Sequence, residues 1–229
     1  MPHKPVAIVA AMPMELAPII GKLQSQQVNG VDLYELPNAL IAVGGIGAKF
    51  ARRAAEVAIE YAQPQRLISA GIAGALSPEL KVGDVGIVRQ VIDAASGMRY
   101  TGTGSDWVLA TSQGVSDAYG KQQLRAKYGA DVVDMEAAAV AQVATEHGLK
   151  FVSVKAISDD AAFEMPPLDR FIDENGRFAT SRFLMYVAFR PKWWSSLGAL
   201  KRNSDLATKN LCSRLEHLLN SGQWSVVSG

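Results

Sequence analysis

The sequence is poor in the residues that most often carry covalent or metal chemistry. It holds one cysteine, Cys212, and three histidines in 229 residues. A lone cysteine excludes an intrachain disulfide and makes a reducing compartment, hence the cytoplasm, the default setting. His3, His147 and His217 stand beside neither a glycine turn nor a strand end. A Ser-His or Cys-His nucleophile therefore has no good candidate, and no His/Cys group has zinc spacing. Net charge is almost absent as well. The 23 Lys+Arg against 22 Asp+Glu leave +1, which argues against a broad electrostatic footprint for nucleic acid. No apolar run reaches the roughly 20 residues of a membrane span. Val6–Met12 faintly imitates a secretory leader, but Pro13 and Glu15 cut it short, so it reads as a buried first strand.

What remains is an ordinary globular composition, 48% hydrophobic and 20% charged. A chain of this length can bury a substantial core unaided. Short β-branched runs at Val6–Ala11, Val31–Glu35, Leu40–Val43, Leu67–Ala70, Val85–Val88, Val91–Ile92, Val132–Val133 and Phe151–Ile157 predict strands. Helices are expected over Glu15–Leu23, Ala48–Ala62, Tyr119–Tyr128 and Glu136–His147. Asp93–Asp106 reads as loop. Strands alternating with helices imply an α/β fold, a three-layer domain over residues 1–180 around a mixed, largely parallel sheet. From residue 181 to 229 the character changes to a helical extension packed on that domain. Its leucines at 197, 200, 206, 211, 215, 218 and 219 form one long helix, preceded by an aromatic stretch.

Ligand sites in open α/β sheets gather at the carboxyl ends of strands. The side chains there are acidic: Glu15, Asp134, Glu136, Asp159 and Asp160. Two glycine clusters accompany them. Gly45-Ile46-Gly47 lacks the third glycine of a dinucleotide fingerprint, because Phe50 stands in its place, so a nicotinamide cofactor is disfavoured. Gly71-Ile72-Ala73-Gly74 follows a strand and reads as a turn, whose N–H groups either hold an anion or ribose or serve only tight packing.

Taken in order, Ala11-Met12-Pro13-Met14-Glu15, Gly44–Gly47, Gly71–Leu76, Leu80–Val85, Asp134–Ala139 and Ala156–Asp159 resemble successive blocks of one superfamily. That superfamily joins the purine nucleoside phosphorylases to the methylthioadenosine/S-adenosylhomocysteine nucleosidases. The resemblance covers about residues 5–160. The compact central region and the tail around Arg190-Pro191 look closest to the branch that removes adenine from adenosylhopane in hopanoid synthesis.

The resemblance implies cleavage of an N-glycosidic bond with no cofactor and no metal, by a homo-oligomer acting on a purine nucleoside. Asp159 matches the acid that protonates purine N7, and Ser158 would orient its carboxyl; a turn cap is the alternative. Glu136 matches the residue that grips the ribose hydroxyls, or is a carboxylate favoured by a helix N-terminus. Glu15 matches the residue that orients attacking water, or is an exposed first-turn glutamate. Met135, Ala73, Gly74, Gln113, Val115 and Lys155 are expected to contact substrate, and Gly44 and Gly45 the water or anion. Lys155 departs from the arginine common in the nucleosidases, and Gly44 from a frequent serine. Glu15 would repel phosphate, which favours hydrolysis, though phosphorolysis stays open.

The short stretch Asp93–Trp107 implies a site open at the 5′ side of the ribose, suited to a bulky substituent. Trp193 and Trp194, with Arg190 and Lys192 beside them, suit either a membrane interface or packing on the sheet or a second subunit. A nucleoside-binding module without activity is the non-enzymatic reading. Retention of Glu15, Glu136 and Asp159 argues against it.

Overall fold

A computed structural model describes residues 4–164, 168–188, 190 and 194–223. The first half of the chain runs β1 (Val6–Ala10), a 3-10 turn (Pro13–Leu16), the short helix α1 (Ala17–Ile20), β2 (Gln26–Val28), β3 (Val31–Glu35), β4 (Ala39–Val43), α2 (Ala48–Ala62) and β5 (Arg66–Ala75). There follow β6 (Val85–Ile87), β7 (Gln90–Asp93), β8 (Arg99–Thr101), β9 (Val108–Thr111), α3 (Ala118–Tyr128), β10 (Val132–Asp134), α4 (Ala137–Glu146) and β11 (Lys150–Asp159). A second 3-10 turn (Leu168–Phe171), α5 (Thr180–Ala188) and α6 (Trp194–Ser221) complete it.

Eleven strands form one mixed sheet. Its spine is parallel: β1 pairs with β4 and β5, β5 with β11, and β9 with β7 and β10. Antiparallel pairs sit mostly at its margins, with β2 on β3, β3 on β4, β8 on β7 and β6 on β11. One antiparallel joint lies inside, where the end of β5 meets β10 at Gly74 and Ala75. That joint brings the carboxyl ends of β5, β10 and β11 together, because β5 carries β11 along almost its whole length.

Side-chain alternation explains the layers. Ala7 and Val9 of β1 join one apolar cluster with the alanine faces of α2 and α4. Val6, Ile8 and Ala10 turn the other way, into a cluster with Ala207, Leu211, Cys212, Leu215 and Leu218 of α6. A strand buried on both faces reads as an unbroken apolar run, which is what Val6–Ala10 is. The expected α/β domain is thus present, and the C-terminal helix forms its third layer.

Three local expectations are revised. Gly71–Gly74 is not a turn; β5 continues through it to Ala75. The helix expected over Glu15–Leu23 is a 3-10 turn followed by four residues of α1, ending at Gly21. The expected loop after Asp93 contains β8, which pairs with β7. Trp193 and the side chain of Trp194, the pair considered for membrane contact, lie outside the described residues. Among the described residues no helix is long and apolar enough to cross a membrane.

Leu211 is fully buried between α6 and the sheet. Leu211→Ala should lower unfolding stability by about 2–5 kcal/mol, read as a reduced urea midpoint with an unchanged slope. A loss well under 1 kcal/mol would mean that α6 does not complete the core.

Candidate active site

A cavity of about 850 Å³ opens over the carboxyl ends of β5, β10 and β11. Glu15, Glu136 and Asp159 all line it. They come from the 3-10 turn after β1, the start of α4, and the end of β11.

Glu15 is buried, not an exposed first-turn residue. Its Oε2 accepts hydrogen bonds from the N–H of Ala11 (3.0 Å) and Met12 (2.8 Å), and its Oε1 from Ile72 (3.1 Å). The glycine in β5 makes this approach feasible. A Cβ at Gly71 would sit 2.8 Å from Glu15 Oε1. Burial raises the Glu15 carboxyl above its ordinary value, opposed by those N–H donors and by Lys155.

Asp159 is placed by an irregularity in β11. The register against β5 shifts between Ile157 and Asp159, so Asp159 lies opposite Gly74. Such a bulge re-aims a side chain. Gly74 is again required, since a Cβ there would lie 2.9 Å from Asp159 Oδ2. Ser158 Oγ donates to Asp159 Oδ1 at 2.6 Å. The other oxygen is met by the ammonium of Lys121, a buried residue of α3 that also donates to the Asp160 carbonyl at 2.6 Å.

Glu136 and Asp134 divide two tasks. Asp134 Oδ2 accepts from the Ala137 N–H at 2.9 Å and so serves the first turn of α4. Glu136 therefore does not cap its helix; it reaches across to accept from the Gly47 N–H at 2.7 Å. Behind both sits Lys155, buried, with Nζ 2.8 Å from Asp134 Oδ2 and 3.2 Å from Ser69 Oγ. Burial pushes the Glu136 carboxyl up to about 8. The Asp134 and Glu15 carboxylates add to this; Lys155 and the Gly47 N–H oppose it. The Lys155 ammonium is held above its ordinary value: burial lowers it, but Asp134, Glu136 and Glu15 together outweigh that.

Of the residues expected to contact substrate, Met135, Ser158, Ala73, Gly74 and Val115 line the cavity. Four expected contact residues do not. Lys155 is packed behind the acids as their counter-ion, Gln113 is exposed, Gly44 is packed against Phe50 and Ala54, and Gly45 lies against Asn175 and Gly176. Asp160 is exposed, its carboxylate holding the Ala162 N–H. Two groups of lining residues had no sequence signal: Lys121, in a helix of polar composition, and the apolar wall of Leu168, Ile172, Phe178, Phe183, Leu197 and Leu200. Cys212 is no nucleophile, because burial pushes its thiol up to about 11.

The family model described as "Phosphorylase superfamily" matches residues 5–127 and 108–187. The chain belongs to the phosphorylase superfamily. It is thereby an enzyme of the nucleosidase and nucleoside phosphorylase kind. Among relatives of this superfamily member, the 5′-methylthioadenosine/S-adenosylhomocysteine nucleosidase of Marinomonas sp. is 27% identical over 203 residues, covering 70% of this chain and 88% of that one. The fold matches that of the Colwellia psychrerythraea nucleosidase of the same name solved with adenine, with a TM-score of 0.72, 18% identity, and 100% and 99% of the two chains covered. It also matches futalosine hydrolase of Helicobacter pylori, with a TM-score of 0.67, 18% identity, and 94% and 98% covered.

The raised Glu136 carboxyl has a consequence for stability. A carboxyl that binds its proton more tightly folded than unfolded lends stability in full below its ordinary 4.5, and this is lost as pH rises through about 8. Urea unfolding from about pH 5 to about pH 9 should show falling stability, and Glu136→Gln should flatten the profile. An unchanged profile in that variant contradicts the assignment. Lys155→Met should drive the Glu136 carboxyl, followed by carbon-13 NMR, above its wild-type midpoint.

Proposed function

We propose that this enzyme hydrolyses the N-glycosidic bond of an adenosine bearing a bulky apolar 5′ substituent, releasing adenine, with adenosylhopane as the substrate its shape favours. One observation carries the reading. Three acids from separate elements line a single cavity that also carries an apolar wall, Leu168, Ile172, Phe178, Phe183, Leu197 and Leu200. Its volume falls within the roughly 300–1,000 Å³ of small-molecule sites.

In this reading the base lies against Asp159, Ser158 and Gly74, and Asp159 delivers the proton to N7. The ribose lies over Met135 and Glu136. A sugar gaining positive charge beside Glu136 reverses the shift that keeps its carboxyl protonated, so the interaction strengthens as the bond breaks. Water sits at Glu15, whose three N–H donors hold the carboxylate still. The 5′ substituent runs along Leu168, Ile172, Phe178, Phe183, Leu197 and Leu200.

Hydrolysis is favoured over phosphorolysis by the pairing of the cations. Lys121 and Lys201 line the cavity among the described residues, and each is matched to an aspartate, Asp159 and Asp205. Lys155 behind them is matched to Asp134. A phosphate would meet Glu15 and Glu136 without an unpaired lysine to receive it.

Adenine release should be measured for 5′-methylthioadenosine and for adenosines with long 5′-alkyl groups, each with and without phosphate. The long-alkyl nucleosides should give the higher kcat/KM, independently of phosphate. Asp159→Asn should lose about 10²–10⁴-fold. A strict phosphate requirement, or a preference for the short 5′ group, would overturn the corresponding half of the proposal.

A further inference from the structure

Lys121 is the one fully buried residue of α3, a helix already seated on the domain by the half-buried Leu124 and Tyr128. Its side chain is 2% exposed and its ammonium lines the cavity. Anchoring a surface helix does not account for it, because a buried ion pair seldom stabilises more than apolar packing of the same volume. Chemistry does. Both oxygens of Asp159 are engaged as acceptors, Oδ1 by the Ser158 hydroxyl and Oδ2 by Lys121. An acceptor-only carboxylate has no proton of its own to give. The ammonium beside it has three.

We propose that Lys121 is the proton reservoir for Asp159 during glycosidic cleavage, a role that rests on the function proposed above. As the C1′–N9 bond breaks, its electron pair passes into the base. Asp159 takes a proton from Lys121 and passes it to N7, so that Lys121 is left as a neutral amine and Asp159 as a carboxylate. Water attacks C1′ and loses its proton to Glu15. Solvent then returns a proton to Lys121 and removes one from Glu15, so the cycle closes with neutral base and free sugar. An ammonium is too weak an acid for the N7 of an intact nucleoside but suffices for a base that has gained the bonding pair. Proton transfer is thereby tied to bond breaking and not to binding. In these terms Lys121 is a positioning residue, acting on the substrate through Asp159.

The test uses Lys121→Met and Lys121→Arg in the full chain, with two substrates. One is a 5′-alkylthioadenosine; the other is its N7-methyl cation, whose base departs without receiving a proton. Arginine keeps the charge and the ion pair but cannot be deprotonated in a protein. Both variants should lose about 10²-fold or more in kcat on the unmethylated nucleoside, and both should cleave the N7-methyl cation at the wild-type rate. Parallel losses on the two substrates would reduce Lys121 to a structural role and overturn the proposal. Recovery of activity by arginine would overturn it equally. Should Lys121→Met fail to fold, Lys121→Arg decides alone. Wild-type enzyme inert toward both nucleosides would instead overturn the function on which the relay rests.

Discussion

A single buried ammonium, that of Lys155, makes the acid cluster tolerable. Asp134, Glu136 and Glu15 all act on it, and it offsets the burial and mutual repulsion that raise the Glu136 carboxyl and the burial that raises that of Glu15. The arrangement is self-consistent at several levels. Lys155 holds Asp134, Asp134 holds the first turn of α4, and α4 in turn fixes the start from which Glu136 reaches Gly47. Thr111 completes the chain: its hydroxyl donates to Asp134 Oδ1 and accepts from the Ala138 N–H. Charge balance, helix start and the placement of Glu136 are thus one structure.

Much of the sheet was legible in the sequence because its central strands are buried on both faces. Val6–Ala10, Ala39–Val43 and Lys150–Asp159 are dense in aliphatic residues, and no helix period competes with them. The strands that escaped are short or lie beside polar residues. Gln26–Val28 is exposed and exists only by pairing with β3, and Arg99–Thr101 only by pairing with β7. Tertiary pairing decides such segments; local composition does not. The glycines of β5 misled for a different reason. Gly71 and Gly74 usually signal a turn, but here they leave room for Glu15 and Asp159 to approach an extended backbone.

The site divides along the same line. Acids at strand ends are visible by position, and the order of the superfamily's blocks attaches roles to them. Lys121 carries no such mark, since a lysine between Gly120 and Gln122 looks like any solvated helix residue. Lys155 was visible, but its task was not. A lysine at a strand end reads equally as a ligand contact or as a counter-ion, and burial alone separates the two. The apolar wall was hidden for want of periodicity, because its members come from the 3-10 turn, the segment before α5, α5 itself and the first turns of α6.

Helix α6 runs for 28 residues, about 42 Å, and changes occupation along its length. Leu197 and Leu200 near its beginning face the cavity, whereas Leu211, Leu215 and Leu218 further on are wedged against the sheet. One helix therefore lines the cavity at one end and anchors the domain at the other. Substitutions that widen the chamber at the first end leave the anchor untouched. Inserting or deleting a residue between the two would rotate the wall by about a quarter-turn or more relative to its footing. The size of the cavity can change by side-chain substitution at Leu197 and Leu200, while the spacing of the helix is locked by the need to fold.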